Sequence, residues 1–206
     1  MDKILVTGGT GYIGSHTVVE LQEEGFEVVI IDNLSNSNRE VLDGIASITG
    51  SKPGFEKVDL RDRKSTFRVF EKYPDIASII HFAAFKAVGE SVEKPLEYYE
   101  NNLLSLIHLL KAMDQFNVVN FLFSSSCTVY GEPDRVPVTE DAPIKKASSP
   151  YGNTKQISEE ILQDSMVPFP EFRVISLRYF NPIGAHPSAK IGELPTGVPN
   201  NLVPYL

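Results

Sequence analysis

The sequence predicts an α/β fold built on a doubly wound parallel sheet, and three observations support this prediction. Short apolar segments alternate with segments whose apolar residues recur every three or four positions, as strands and helices do in such folds. A glycine-rich turn joins the first apolar segment to the first helical one. The second apolar segment ends in an acidic residue, Asp32.

The predicted strands and helices alternate along the chain, with connections long enough for parallel pairing. The predicted strands cover Lys3–Thr7, Glu27–Ile31, Phe55–Val58, Ser78–Phe82, Asn120–Ser124 and Arg173–Tyr179. The predicted helices cover Tyr12–Glu24, Ser37–Ile48, Lys64–Lys72, Pro95–Phe116 and Tyr151–Met166. Ligands of such sheets bind beyond the carboxyl ends of the strands, so residues that follow each strand are the first candidates for a site.

The turn after the first predicted strand contains glycines at the spacing Gly8-x-x-Gly11-x-x-Gly14, and Gly9-x-Gly11-x-x-Gly14 fits as well. Glycine permits a tight turn and lets a ligand approach the backbone closely. The helix that follows offers free N–H groups and a partial positive charge to an anion. Such a match is weak by itself, but its place between a strand and a helix strengthens it. The turn therefore predicts a pyrophosphate-binding loop in a Rossmann-type sheet.

Asp32 lies 18 residues after Gly14. This is close to the spacing at which an acidic residue binds the adenosine ribose in dinucleotide-binding folds. A carboxylate at that place repels a 2′-phosphate, so NAD is the expected cofactor in preference to NADP. The alternative interpretation is that Asp32 is a turn residue, because Asp and Asn begin turns readily.

Composition excludes several classes of partner. The 206 residues are 42% hydrophobic and carry a formal net charge of −8, which argues against nucleic acid and anionic membranes as partners. The chain has no apolar run long enough to span a bilayer, and its start shows neither a basic region nor a cleavage site, so we expect neither a membrane span nor a signal peptide. Its single cysteine, Cys127, excludes an internal disulfide and favours a reducing compartment, so we expect a cytoplasmic protein. The four histidines show no metal-ligand spacing, so no metal site is expected.

The chain divides into two unequal parts. Residues 1–180 contain all the predicted strands and are expected to form one dinucleotide-binding domain. Residues 181–206 hold five of the 14 prolines and no clear strand pattern, so they predict a loop that leads to another module. Because the chain stops in an apolar, uncapped segment, we expect 181–206 to be only the start of a smaller C-terminal substrate-binding domain.

Tyr151 and Lys155 are spaced i and i+4 at the start of a predicted helix, so their side chains lie on one helix face. An ammonium group near a phenol stabilises the phenolate and lowers the tyrosine pKa, which makes the tyrosine a usable general base. The spacing by itself also fits an ordinary solvated pair. Downstream of a dinucleotide turn, the catalytic interpretation is favoured.

Three serines, Ser124–Ser126, end a predicted central strand, and Ser126 lies 25 residues before Tyr151. Their hydroxyls are expected beside the reactive end of a bound dinucleotide. The alternative is that they satisfy backbone groups at the strand end. Glu159 and Glu160 lie on a predicted helix and are expected to be solvated.

Together these residues resemble the extended short-chain dehydrogenase/reductase family. The similarity runs over essentially the whole chain, and its carboxyl-terminal motifs resemble the branch that inverts C4 of UDP-hexoses. The matching segments are Thr7–Thr17, Asp32–Ser37, Lys86–Ser91, Lys94–Tyr99, Ser124–Gly131, Arg178–Pro187 and Pro199–Leu202. The chain departs from the usual pattern at Ala84-Phe85, where Gly-Leu is common, and at Cys127, where alanine is common.

The resemblance implies the interconversion of UDP-galactose and UDP-glucose through transient oxidation at C4 by a retained NAD. Its implied catalytic residues are Ser126, Tyr151 and Lys155. Tyr151 takes the proton of the sugar 4-hydroxyl, Ser126 hydrogen-bonds the 4-oxygen, and Lys155 binds the nicotinamide ribose. Relatives pack the two long helices into a dimer interface, which implies a homodimer.

The resemblance also implies which residues line the ligands. The substrate is bound by Lys86, Ser126, Tyr151, Asn181 and Asn201. The cofactor is lined by Gly8, Gly11, Tyr12, Ile13, Gly14, Asp32, Asn33, Leu34, Ser35, Asn36, Ser37, Asp59, Leu60, Phe82, Ala83, Ala84, Phe85, Lys86, Asn101, Ser126, Tyr151, Lys155 and Phe180.

Two other functions remain open at this point. A sugar-nucleotide 4,6-dehydratase of the same family needs an added acid and base, commonly an Asp-Glu pair just after the strand-end serine or threonine. This chain has Cys127 and Thr128 there, which cannot supply that chemistry. A non-catalytic NAD-binding fragment is the second alternative.

Overall fold

Six parallel strands form one sheet within residues 2–194, the part of the chain that this computed structural model describes. The strands are β1 (Lys3–Thr7), β2 (Glu27–Asp32), β3 (Gly54–Lys57), β4 (Ile76–His81), β5 (Asn120–Ser126) and β6 (Arg173–Tyr179). Their order is β3-β2-β1-β4-β5-β6. The chain moves outward from β1 in one direction to β3 and then in the other from β4 to β6. This reversal opens a crevice at the carboxyl ends of β1 and β4 and confirms the predicted doubly wound fold.

Helices connect the strands. They are α1 (Tyr12–Glu23), α2 (Val41–Thr49), α3 (Arg63–Lys72), α4 (Val88–Glu93), α5 (Pro95–Phe116) and α6 (Pro150–Met166), with a 3₁₀ turn at Cys127–Tyr130. Proline occupies the first turn of α5 and of α6, where its missing N–H is not needed. The Ser149 hydroxyl accepts a hydrogen bond from the Gly152 N–H and so caps α6 one residue before its start.

The sheet separates two apolar clusters. Leu5 packs on one face with residues of α3 and α5, while Val6 packs on the other with residues of α1 and α2. Both side chains are fully buried, and burying one such side chain contributes about 1.5–3 kcal/mol. Burial on both faces explains why these strands are continuously apolar rather than alternating.

The structure corrects several predicted boundaries. β5 continues through Ser126 instead of ending at Ser124. β4 ends at His81 rather than Phe82, and α2 begins at Val41 rather than Ser37. Neither α4 nor the 3₁₀ turn was predicted, because both are too short to show a helical period. The remaining boundaries agree with the predictions to within two residues.

The segment after β6 returns to the opposite half of the sheet. The Tyr12 hydroxyl donates a hydrogen bond of 2.6 Å to the carbonyl of Gly184. Ile191 is 5% exposed and packs in the apolar cluster that contains Val41, Leu42 and Ile45. Because β6 lies at the far edge of the sheet from α1 and α2, this segment passes along the carboxyl edge of the strands. The division at residues 180 and 181 stays a prediction, and residues 195–206 lie outside the described part.

Within residues 2–194, no helix combines the length and the apolar character needed to cross a bilayer.

Candidate dinucleotide and catalytic site

The glycine loop after β1 owes its shape to contacts that a larger residue would prevent. Gly8 has φ +69°, and a Cβ there would lie 2.7 Å from the backbone nitrogen of Ala83. A Cβ at Gly14 would lie 2.2 Å from the carbonyl oxygen of Gly8. A Cβ at Gly11 would meet only that oxygen, at 3.2 Å. Gly8 and Gly14 therefore shape the loop, while a side chain at Gly11 would meet a single tight backbone contact.

Gly11 directly precedes the first turn of α1. Gly11 is the N-cap of this helix and supplies no side chain to its free N–H groups. No acidic side chain lies in the first turn, which begins at Tyr12 and Ile13. The partial positive charge of the helix terminus is therefore available to an anion. These features fit a pyrophosphate.

Asp32 connects the glycine loop to the loop after β2. Its carboxylate accepts hydrogen bonds from the Thr10 N–H at 3.3 Å, the Leu34 N–H at 2.9 Å and the Ser37 hydroxyl at 3.0 Å. The bond from Leu34 is the turn contact of the alternative interpretation, and Leu34 itself has φ +61°. Asp32 is buried at the carboxyl end of β2. It therefore stabilises a turn and also places a negative charge at the sheet edge.

The loop after β2 extends toward Asp59 at the end of β3. The Asn33 side-chain nitrogen lies 3.5 Å from the Asp59 carboxylate, and the Asn33 side-chain oxygen Oδ1 accepts a hydrogen bond from the Ser35 N–H. Arg61 binds the same carboxylate through two nitrogen atoms, and this pairing lowers the pKa of Asp59. Leu60 is buried beside it. Ser35 and Asn36 are exposed at the loop tip.

The residues after β4 form the next wall of the crevice. The Phe82 N–H donates to the Thr7 carbonyl, so this segment stays beside the glycine loop. The Phe85 N–H and carbonyl both bind the side-chain amide of Asn102, at 2.9 and 3.1 Å. Asn101 donates to that amide in turn. Half-buried Ala83 and Ala84 complete this wall, and Lys86 is exposed and pairs with Glu193 at 3.4 Å.

Asn102 is a structural residue that the sequence analysis missed. Its side chain is buried within α5 and fixes the backbone of the segment that follows β4. Two adjacent asparagines in a helix otherwise rich in leucine could have indicated this role, because asparagine is unfavourable in the interior of a helix.

Ser126 and Tyr151 meet at the carboxyl end of β5. Ser126 is the last residue of the strand, and its hydroxyl accepts from the N–H of Thr128 at 3.2 Å. Tyr151 lies in the first turn of α6, with the Ser126 side chain as a neighbour. Burial raises the pKa of Tyr151, the neighbouring Ser126 side chain opposes this rise, and Cys127 adds to it.

Lys155 reaches the same strand end from α6. Its Nζ donates a 2.7 Å hydrogen bond to the carbonyl of Ser124 and lies 5.9 Å from the centre of the Tyr151 ring. Lys155 is 4% exposed, and this burial lowers its pKa to about 8. The causes of the Tyr151 pKa shift in this structure are burial, Ser126 and Cys127, so a lowering of that pKa by Lys155 stays a prediction.

Other predicted residues lie at the edge of the site or beyond it. Phe180 and Asn181 follow β6, whose Tyr179 pairs with Ser126, and both are exposed. Asn201 lies outside the described residues. The expectation that Glu159 is solvated was wrong, because its carboxylate is buried and paired with Arg178. In the described part of the chain, no group of histidine, cysteine and acidic side chains could hold a metal ion.

Comparison with known proteins assigns the family. Residues 4–203 match the family described as NAD dependent epimerase/dehydratase. The chain belongs to the NAD-dependent epimerase/dehydratase family. Within it, a UDP-glucose 4-epimerase of Dictyostelium discoideum is 54% identical over 205 residues, 100% of this chain and 59% of that protein. A UDP-glucose 4-epimerase of Bacillus subtilis is 53% identical over 203 residues, 98% of this chain and 59% of that protein.

A solved family member has the same fold. The crystal structure of UDP-glucose 4-epimerase from Bifidobacterium longum, in complex with NAD+ and UDP, matches with a TM-score of 0.96. It is 47% identical and covers 98% of this chain and 60% of that one. The chain thus spans about 60% of the length of the relatives that it matches.

The burial of Lys155 predicts a gain in stability when its charge is removed. Between its folded pKa of about 8 and the ordinary 10.5, the unfolded chain binds more protons, so stability rises with pH in that window. Lys155→Met avoids this cost, which amounts to about 3 kcal/mol at neutral pH, but it loses a hydrogen bond of about 1 kcal/mol. We expect a net gain of about 2 kcal/mol in the urea unfolding free energy at pH 7.

The gain should shrink as the pH rises from 8 to 10.5. As a control, Lys111→Met replaces an exposed lysine of α5 and should change stability by less than about 0.5 kcal/mol. A Lys155→Met variant less stable than the wild type at pH 7 would contradict a costly buried charge.

Proposed function

We propose that this chain carries the NAD-binding and catalytic part of a UDP-glucose 4-epimerase, which interconverts UDP-galactose and UDP-glucose. The observation that carries the proposal is the convergence of Ser126, Tyr151 and Lys155 at the end of β5, across β4 from the glycine loop. The identity of about 54% to an enzyme of that name supports the same conclusion.

NAD fits the crevice described above. Its pyrophosphate would lie against Gly11 and the N–H groups of Tyr12 and Ile13, and its adenosine ribose would face Asp32. Asn33, Leu34, Ser35, Asn36, Ser37, Asp59 and Leu60 would surround the adenosine. Phe82–Lys86, Asn101 and Phe180 would line the rest, and Ser126, Tyr151 and Lys155 would lie at the nicotinamide end.

When bound, NAD supplies the acceptor for the hydride from C4 of the sugar and returns it afterwards. Tyr151 takes the proton of the 4-hydroxyl as the hydride leaves, which gives a 4-keto sugar. Ser126 donates a hydrogen bond to the 4-oxygen and orients it toward Tyr151. The keto sugar would turn over in the site before Tyr151 returns the proton to its 4-oxygen, so that C4 is inverted.

In this proposal Lys155 acts on both ligand and base. A nicotinamide ribose would give its ammonium a partner beside Tyr151, and a positive charge there favours the phenolate. This would counter the burial that raises the Tyr151 pKa in the structure. The tuning role of Lys155 is thus proposed for the loaded enzyme.

The UDP-sugar would be held by Lys86, Asn181 and Asn201 as well as by Ser126 and Tyr151. With a net charge of −8, attraction of a diphosphate depends on local groups such as the Lys86 ammonium. We propose that residues 181–206 begin the substrate-binding domain, after an NAD-binding domain of residues 1–180.

We also propose a homodimer in a reducing compartment such as the cytoplasm. The interface would be formed by α5 and α6, which pack against each other. Both helices carry half-buried apolar side chains, among them Leu103, Ile107 and Ile157, which a partner would cover.

Cofactor binding can be tested on this chain by calorimetric titration. We expect NAD to bind more tightly than NADP because the Asp32 carboxylate repels a 2′-phosphate. Gly11→Val should abolish NAD binding, since its side chain would fill the volume that the pyrophosphate needs beside the loop, where a Cβ meets one backbone atom within 4 Å.

Gly89→Val is the matched control, because nothing lies within 4 Å of a Cβ at that position, and it should bind NAD as the wild type does. Equal or tighter binding of NADP would show that Asp32 does not read the ribose.

Tyr151→Phe tests the proposed base in the whole protein. Loss of the phenol should lower kcat for UDP-galactose by at least about 10²-fold, the usual scale for a general base. Ser126→Ala should cost less, since it removes one hydrogen bond. Near-wild-type turnover by Tyr151→Phe in a coupled UDP-glucose assay would exclude Tyr151 as the base.

A further inference from the structure

Glu159 is a buried carboxylate that the proposed mechanism does not use. It lies on α6 one turn after Lys155 and is 6% exposed. Its Oε1 accepts hydrogen bonds from the Ser125 hydroxyl at 2.5 Å and from Arg178 Nε at 3.0 Å. Its Oε2 accepts from Arg178 Nη2 at 2.7 Å. A buried charge is costly unless it is paired in this way, so the position calls for an explanation.

Lys155 and Glu159 join α6 to two consecutive residues of β5. Lys155 donates to the carbonyl of Ser124, and Glu159 accepts from the hydroxyl of Ser125. The next residue of the strand is Ser126. Because the two side chains are spaced i and i+4, they lie on one face of α6. Together they fix how α6 lies on the strand end that presents Ser126 to Tyr151.

Arg178 binds Glu159 from β6, the third structural element in this set of contacts besides α6 and β5. It lies on β6 directly opposite Ser125 in the strand register. Its guanidinium binds Glu159 through two nitrogen atoms and lies 4.8 Å from the centre of the Tyr130 ring. Glu159 and Arg178 form an ion pair, and Glu159 is the member that shares α6 with Lys155.

The remaining neighbours of Lys155 leave its charge without another anion. Tyr151 faces it from α6, and burial raises the pKa of that phenol, so it is neutral near pH 7. His81 faces it from β4, and burial together with the Lys155 charge lowers its pKa to about 3, so it is also neutral. From β5 come the Phe123 ring, 4.7 Å from Nζ, and the Ser124 carbonyl. Of these groups and Glu159, Glu159 is the anionic one.

We propose that Glu159 is a positioning residue that seats α6 on the end of β5 and places a carboxylate on the helix face that carries Lys155, with Arg178 limiting its effect on that lysine. The proposal rests on the proposed function for its catalytic meaning. The effect of Glu159 on the charge of Lys155 does not depend on the substrate.

Charge variants can separate this role from simple stabilisation. Glu159→Gln leaves the Arg178 cation near Lys155 and should lower the Lys155 pKa by about one unit. Arg178→Gln leaves the Glu159 anion and should raise it by a similar amount. The double variant removes both charges and should return the pKa close to the wild-type value. If the role of Glu159 is purely structural, both single variants should shift the Lys155 pKa in the same direction. The double variant should then not return that pKa to the wild-type value.

The measurement is an NMR titration of the lysine ε-carbon in this chain, with the Lys155 signal assigned by its absence in Lys155→Met. Opposite shifts in the single variants, with recovery in the double variant, are the expected result. Unchanged or parallel shifts would overturn the proposal.

A parallel kcat–pH profile of the whole protein should show the alkaline limb moving in the same directions. If the whole protein has no turnover, the proposed function fails while the NMR titration still decides the role of Glu159. If turnover is present and the Lys155 pKa is the same in Glu159→Gln as in the wild type, the proposed role of Glu159 fails while the proposed function stands.

Discussion

The close approach of α1 to β1 is the constraint on which the carboxyl edge of the sheet depends. The Gly8 carbonyl occupies the volume that a side chain at Gly14 would need, 2.2 Å from an added Cβ. Gly8 in turn approaches the Ala83 backbone after β4. This packing draws the start of the helix and the ends of β1 and β4 together. A helix terminus with free N–H groups then faces the crevice at which the strand order reverses.

The second feature of the carboxyl edge of the sheet is a set of charged side chains that are largely shielded from water. Lys155, Glu159 and Arg178 come from α6 and β6 and converge on the last residues of β5. Burial of such groups costs stability unless each is paired, and Lys155 is bonded to a neutral carbonyl rather than to a carboxylate. The fold thus retains an expensive cation at the place where the proposed chemistry needs one.

The sequence predicted the sheet well because parallel strands buried on both faces are continuous apolar runs. It predicted less well where polar residues decide the structure. Ser125 and Ser126 belong to β5 although serine has a low propensity for strands. Ser37 donates its hydroxyl to Asp32 instead of starting α2. The sequence predicts that Glu159 is a surface residue, because its partner Arg178 lies 19 residues away along the chain and contacts it only after folding.

Amide hydrogen exchange of this chain, with and without NAD, tests the central claim most directly. The claim is that the crevice between the carboxyl ends of β1 and β4 is built for one dinucleotide. NAD should slow exchange at Tyr12–Gly14, at Leu34–Ser37 and in the segment after β4, and should leave α3 unchanged. Protection confined to β6 and the end of α6, or no protection at saturating NAD, would contradict the account.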